Sequence, residues 1–316
     1  MAQTAGETEP HIAVLVLDTP IAGITDKYGD FGDNTIDLLT SHCPPRPPYK
    51  LIKYQLKHDD VEELEAAYAR LLASIHNHKI RGFVLTGSRS DAFEEYPWLV
   101  RFRKFLRNTI FKLPWPLVGI CFGHQVVAQC LGCKIDRNTQ GWEAGIITID
   151  INDEIYKLPH SPFTQLYRRE EIEVKNDVVG GGAIEGERDE AILYQHLNMV
   201  ESHRDIVFGG VPNGFLNFGS TSKCPIQGMV SVGSKGEMGR QCKVITFQGH
   251  PEFTTEISLD ILKNMFERGS LTQLEYEKAK YHTSTLNNQG DLIGKVICKF
   301  LSQEIEAVES KESGDK

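Results

Sequence analysis

A cysteine held between two glycines is the most reactive feature of this sequence. Gly119-Ile120-Cys121-Phe122-Gly123-His124-Gln125 follows an apolar run, Pro116 to Ile120, that reads as a buried strand. It precedes a stretch whose Val126, Val127 and Leu131 read as an amphipathic helix. Gly-x-nucleophile-x-Gly is the spacing of a nucleophile elbow, with Cys in place of Ser. Side chains flanking so tight a turn would collide with neighbouring backbone, and glycine removes them. A sulfur at a helix N-terminus feels the positive end of the dipole, which favours thiolate. The N–H of Phe122 can then point at an oxyanion forming beside that sulfur. Taken alone, the motif is read equally well as a buried cysteine in an apolar strand, a common place for a free thiol.

A nucleophilic thiol needs a base, and the base needs an orienting group. Lys243 to Glu252 (KVITFQGHPE) supplies both. The strand ends at Gly249, His250 follows at its terminus, Pro251 stiffens the turn, and Glu252 comes two residues after the histidine. Side chains at i and i+2 of an extended segment point to one side, so Glu252 can reach the far nitrogen of His250. Without Cys121, the same residues read as a turn histidine and a solvated acid opening the next helix.

These groups must be brought together by the elements around them. His11 to Leu17 is a strongly apolar first strand, followed by a Gly/Asp-rich loop over Thr19 to Asp30 and a helical stretch through Ile36, Leu38 and Leu39. Tyr49 to Leu56 reads as a second strand. Asp59 and Asp60 are placed to cap a helix whose apolar positions run from Val61 through Leu64, Tyr68 and Leu71 to Ile75. Ile80 to Leu85 is a third strand, ending in Thr86-Gly87-Ser88, and Pro97 opens the next helix. Strand–helix alternation implies a parallel sheet covered by helices on both faces, with sites at the C-terminal strand ends. The Gly87-Ser88 loop and Cys121 both fall at such ends. After Gly141, Trp142–Ile151, Gly214–Ser220, Gln227–Val232 and Lys243–Phe247 read as strands of an antiparallel or mixed extension. Val178 to Glu190, glycine-rich and charged, reads as a mobile surface loop without a phosphate-binding pattern. Helices follow from Thr254, over Leu271 to Tyr281, and through Leu292 to Ile305, with a solvated end beyond about residue 306.

Composition narrows the functional classes. The 316 residues, 40% hydrophobic and 24% charged, are those of an ordinary globular protein. A formal net charge of -9 gives no reason to expect a nucleic-acid or membrane surface. The polar start, Met1 to Pro10, does not read as a signal peptide, and no apolar run is long enough to span a bilayer. Seven cysteines without framework spacing imply reduced thiols in the cytoplasm or nucleus. Cys130-Leu131-Gly132-Cys133 lacks a second pair, so no metal site is expected, and Gly132 reads as the stop of the elbow helix.

The order nucleophile, His, acid separates this chain from α/β-hydrolases, where the acid precedes the histidine. With Cys121 in G-x-C-x-G-x-Q and a late His250-Pro251-Glu252, the sequence resembles the class I glutamine amidotransferases from roughly His11 to Phe266. The resemblance implies a three-layer α/β sandwich with a mostly parallel, flavodoxin-like central sheet. It places the family domain at residues 10–266, after a disordered tail (1–9) and before a C-terminal helical extension (267–316). It also implies roles: Cys121 as nucleophile, His250 as general base and acid, and Glu252 as the orienting carboxylate. Gly87 and Ser88 match the loop that supplements the Phe122 N–H as oxyanion donor, and Gln125 matches a substrate-contacting glutamine. In Ser202-His203-Arg204-Asp205, His203 and Asp205 match a segment holding the α-amino end of glutamine; the same residues also read as a turn before Val211-Pro212-Asn213-Gly214. The implied activity is cleavage of a γ-glutamyl amide, from glutamine or a γ-glutamyl peptide, through a thioester on Cys121, with no cofactor. The chain carries no synthetase pyrophosphatase loop, so an ammonia-accepting enzyme would act in trans. The alternative is a non-catalytic regulator that keeps the fold and binds a partner.

Overall fold

The computed structural model describes residues 8–43, 49–158, 161–170, 190–232 and 243–314. In its first part β1 (His11–Val16), α1 (Ala22–Tyr28), α2 (Phe31–His42), β2 (Lys50–Gln55), α3 (Val61–His76), β3 (Ile80–Leu85), α4 (Pro97–Asn108), β4 (Leu117–Ile120) and α5 (Phe122–Cys130) alternate. The second part is richer in strands: β5 (Lys134–Arg137), β6 (Glu143–Ile151), β7 (Tyr167–Glu170), β8 (Glu190–Leu193), β9 (His196–His203), β10 (Asp205–Phe208), β11 (Phe215–Asn217), β12 (Gly219–Ser220), β13 (Gly228–Ser231) and β14 (Val244–Phe247). Three helices close the chain, α6 (Thr255–Glu267), α7 (Gln273–Thr285) and α8 (Gly290–Gly314).

The central sheet runs β11-β13-β14-β4-β3-β1-β2. Its five strands from β14 to β2 are parallel, and β13 and β11 add an antiparallel edge. Strands inside a parallel sheet are covered on both faces and so read as continuous apolar runs; β1 (HIAVLV) is buried at every position. On one face, Leu64, Tyr68 and Leu71 of α3, Leu99, Phe102 and Leu106 of α4 and Val126 of α5 pack on Leu15, Phe83 and Leu85. On the other, Leu38 and Leu39 of α2 and Ile293, Val296 and Phe300 of α8 pack on Ile12, Val84 and Val118. The antiparallel β12-β6-β9 sheet adds Ile149, Leu197 and Met199 to that second layer. Each such side chain, once fully buried, contributes about 1.5–3 kcal/mol against conformational entropy. The result is the expected three-layer arrangement.

Several local expectations change. The loop over Thr19 to Asp30 contains α1, which no side chain caps at its start. Tertiary contacts hold it instead: Ile24 is buried, and Lys27 and Tyr28 both bond Asp260 of α6 at 2.8 Å. β5, β7, β8, β9 and β10 lie outside the expected strands; four of them are only four residues long, too short to show a period, and β9 (HLNMVESH) breaks the alternation with polar residues at buried positions. Not all thiols are free, because Cys43 at the end of α2 is joined to Cys298 of α8 by a disulfide, Cα to Cα 5.6 Å. The packing of α8 on α2 places them together, with Gly294 against Leu38 and His42. α8 continues as helix to Gly314. The glycine-rich loop falls, apart from Glu190, outside the described residues, as does most of the N-terminal tail. Among the described residues no helix is long and apolar enough to cross a membrane.

Candidate active site

Adjacent strand ends assemble the site. β4 lies between β3 and β14, with Leu85 beside Gly119 and Phe247 beside Ile120. The Gly87-Ser88 loop, Cys121 and His250 therefore emerge side by side at the C-terminal edge, although β14 follows β4 by more than a hundred residues of chain. The Cys121 N–H donates to the Phe247 carbonyl at 2.8 Å, tying the elbow to the strand that leads to His250.

The elbow is strained as its motif requires. Cys121 sits at φ 49°, ψ -102°, a backbone conformation that costs a non-glycine residue of order 1–3 kcal/mol. A Cβ on Gly119 would lie 2.8 Å from the Gly123 backbone, and one on Gly123 2.6 Å from the Leu85 carbonyl oxygen. Both glycines are thus demanded by close approach. Phe122 opens α5 at the first helical position, where its N–H has no carbonyl to bond within the helix.

His250 faces the cysteine. Its Nδ1 is 2.8 Å from Glu252 Oε1, and both side chains are almost fully buried. Burial works to discharge the ring, but the Cys121 sulfur and the Glu252 carboxylate beside it prevail and hold the imidazole well above its ordinary pKa. Phe253 stacks on the ring with centroids 4.2 Å apart, Phe31 lies beside both, and the main-chain N–H of His250 donates to the Val200 carbonyl at 2.8 Å. A Cβ on Gly87 would approach His250 Cε1 to 3.0 Å, so the loop packs directly on the imidazole. That loop is anchored by Asp18, which accepts from Ser88 Oγ at 3.2 Å and the Arg89 N–H at 3.0 Å and pairs with Lys57 at 2.8 Å.

The remaining expected residues stand differently from their first reading. Cys121, Ser88, Gln125, His203, Asp205 and His250 all line one cleft of about 350 Å³. Gln125, however, turns its amide inward, donating to the Asp205 carbonyl at 2.8 Å and to Gln248 Oε1 at 3.1 Å. His203 has both ring nitrogens engaged by the protein. Nε2 is 3.1 Å from Glu143 Oε2 and 3.1 Å from Glu201 Oε2, and Nδ1 is 3.2 Å from the Asp205 carbonyl. Burial opposes charge on His203, yet the two carboxylates raise its pKa to about 10. The Asp205 carboxylate faces the cleft but is already paired, with Arg137 Nε at 2.6 Å. Burial, and the Asp91 carboxylate that repels the charged form and accepts a hydrogen bond from the protonated one, lift Asp205 to about 6, against the pull of Arg137. His124 is packed in the interior: its Nδ1 meets Thr246 Oγ1 at 2.8 Å, and burial drops its pKa to about 3.

Sequence reasoning missed Gln248, Arg137, Asp91, Glu143 and Glu201. Gln248 carried a signal, because it lies two residues before His250 and so shares its side of the strand. Glu143 and Glu201, inside strands that pair only in the tertiary structure, carried none. Glu143, His203 and Cys224 bring one donor atom each within 4.8 Å, a combination that can hold a metal ion. Here the ring nitrogen facing that group is taken by two carboxylates, and burial keeps the Cys224 thiol well above its ordinary pKa.

Fold and site together define a class: α/β proteins that present a cysteine on a strand-to-helix elbow toward a histidine–glutamate pair. Comparison with known proteins makes this specific. The family model described as "Glutamine amidotransferase class-I" matches residues 100–268, more than half the chain, and the protein belongs to that family. A Saccharomyces cerevisiae protein described as a putative glutamine amidotransferase is 29% identical over 302 residues, covering 94% of this chain and all of that one. Gamma-glutamyl peptidase 2 of Arabidopsis thaliana is 27% identical over 202 residues, 64% of this chain and 65% of its own. The crystal structure of a Thermotoga maritima glutamine amidotransferase superposes with TM-score 0.54 at 18% identity, covering 94% and 99% of the two chains, and shares the fold.

Proposed function

We propose that this protein hydrolyses γ-glutamyl amides with Cys121 as nucleophile. The observation that carries the reading is the facing of the strained elbow cysteine by the buried His250–Glu252 pair, at the floor of a cleft that also holds Asp205. Cys121 sulfur attacks the side-chain carbonyl, and the oxyanion is met by the N–H of Phe122 and by the Gly87-Ser88 loop. The C–N bond then breaks, and the His250 imidazolium gives its proton to the leaving amine. Water, deprotonated by His250, cleaves the γ-glutamyl thioester to glutamate and regenerates the thiol. Glu252 orients the ring and stabilises its charged form. His203, in the cleft wall, holds the Asp205 main chain, while Asp205 meets the substrate α-ammonium.

Two leaving groups share this chemistry: ammonia from glutamine, for an acceptor enzyme in trans, and the amine of a γ-glutamyl peptide. The cleft favours the second. Beyond the cysteine it is walled by Ile21, Ile24, Phe253, Ile261 and Met265, apolar surface that ammonia has no use for. The similarity to gamma-glutamyl peptidases of Arabidopsis thaliana supports the same choice. The test is glutamate release by purified protein from glutamine and from γ-glutamyl dipeptides, with Cys121→Ala as control. Turnover of dipeptides with the higher kcat/KM is expected. No release from either class by a protein whose Cys121 is reactive would leave the non-catalytic alternative.

A further inference from the structure

Between the elbow and the His250 turn lies a buried side chain with no role in the reaction above. Gln248 is fully buried, and its Nε2 is 3.7 Å from Cys121 Sγ, within hydrogen-bonding range of sulfur. Which end of a glutamine amide faces a neighbour must be argued from what the neighbours can do. The Asp205 main-chain carbonyl is acceptor only, so Gln125 must turn its NH₂ group there, 2.8 Å away. The second hydrogen of that NH₂ group then points to Gln248, 3.1 Å away, which must answer with its carbonyl oxygen. Its own NH₂ group is left facing the sulfur. The polarity of the chain is dictated from one backbone carbonyl.

We propose that Gln248 is a further catalytic residue, a fixed hydrogen-bond donor to the Cys121 thiolate, and that Gln125 is the positioning residue that orients it. The donor is uncharged and cannot turn, so it stabilises sulfur as an anion without competing for the His250 proton. It also remains beside the sulfur when thiolate re-forms as the thioester is cleaved. The charged groups around that sulfur are His250 with Glu252 behind it, Asp205, Arg137, Asp91, Arg89, Arg204 and Arg268 along the cleft wall, and His203 of β9 backed by Glu201. His124 of α5 is turned away to Thr246. None of them replaces the amide.

The inference rests on the proposed function only for the identity of the nucleophile, and its test needs no substrate. The rate of Cys121 alkylation by iodoacetamide, followed by mass spectrometry across pH, reports thiolate directly. Gln248→Met keeps the volume and removes the donor. It is expected to raise the apparent pKa of alkylation by about 0.5–1 unit, a three- to tenfold loss of thiolate below the midpoint. Gln125→Met, which touches no sulfur, is expected to give a smaller shift of the same sign, because Gln248 is then free to flip. Should Gln248→Met unfold, Gln248→Glu places an acceptor-only group against the sulfur and is expected to shift the profile further upward. An unchanged profile in folded Gln248→Met, or a downward shift in Gln248→Glu, overturns the donor. An unchanged profile in Gln125→Met overturns the relay. Loss of γ-glutamyl turnover with normal alkylation would speak to the substrate reading instead.

Discussion

Substituting Glu143 tests the buried charge group behind the cleft most directly. His203 lies between Glu143 and Glu201 at 3.1 Å from each, with side chains no more than 3% exposed. Raising a histidine from an unfolded value of about 6.5 to about 10 corresponds to a ceiling of about 5 kcal/mol of stability. Two carboxylates share that effect, so Glu143→Gln should cost about 2–4 kcal/mol, in the range found when one partner of a buried pair is removed. The pH dependence has a definite sign. Because the folded pKa of His203 is raised, its contribution is fully present below about pH 6.5 and fades as pH climbs through about 10. The folded pKa of Glu143 is lowered, since His203, Thr221 and Gln227 outweigh its burial, so its contribution is present above the usual carboxylate range and fades in acid. The deficit of the variant should therefore be largest near pH 6 and shrink by pH 10. Urea unfolding of both proteins, followed by fluorescence and circular dichroism at pH 6, 8 and 10, measures it. A deficit under about 0.5 kcal/mol at pH 6, or one that grows with pH, would refute the assignment of His203 as a buried cation.

Other outcomes follow from the site. A glutamine-like electrophile should label Cys121 ahead of Cys130, Cys133 and Cys224, since burial lifts Cys130 to about 11 and raises the other two; equal labelling in a peptide map counts against the elbow. His250→Ala should abolish turnover nearly as fully as Cys121→Ala, whereas Glu252→Gln should retain more, because it orients without taking the proton. Steady-state rates that put Glu252→Gln level with Cys121→Ala in a folded protein would contradict that order. Asp205→Asn should lower kcat/KM about ten- to a hundredfold for glutamine and γ-glutamyl peptides alike, while iodoacetamide still modifies Cys121 at its normal rate. Unchanged turnover would move the α-amino site elsewhere.

Much of this site was legible because its chemistry is local. Cys121 and its flanking glycines specify the elbow within five residues, and His250-Pro251-Glu252 places an acid two positions from a base, where only one side of the chain is available. The apolar runs of β1, β3 and β4 declared buried parallel strands, whereas β14, read as part of an antiparallel or mixed extension, pairs parallel to β4; Asp60 caps its helix where the sequence predicts. Position along the chain also ordered nucleophile before base, which narrowed the family.

What the sequence by itself could not determine is what the strands and buried polar groups choose as partners. β14 reaches β4 only after the chain has gone out to the edge strand β11 and returned through β13, and that pairing, not any motif, brings His250 to Cys121. Ser202 to Asp205 read as a binding segment or as a turn; in the fold the pairing of β9 with β6 sets Glu143 opposite His203, a neighbour no local pattern announces. His203 and Gln125 then became interior residues: the carboxylates of Glu143 and Glu201 stand 3.1 Å from the His203 ring, and Gln125 donates to the Asp205 carbonyl and to Gln248. A side chain's hydrogen-bonding capacity is written in its residue type, but a buried polar group must spend that capacity on whatever the fold packs against it. Those neighbours exist only once the layers have closed.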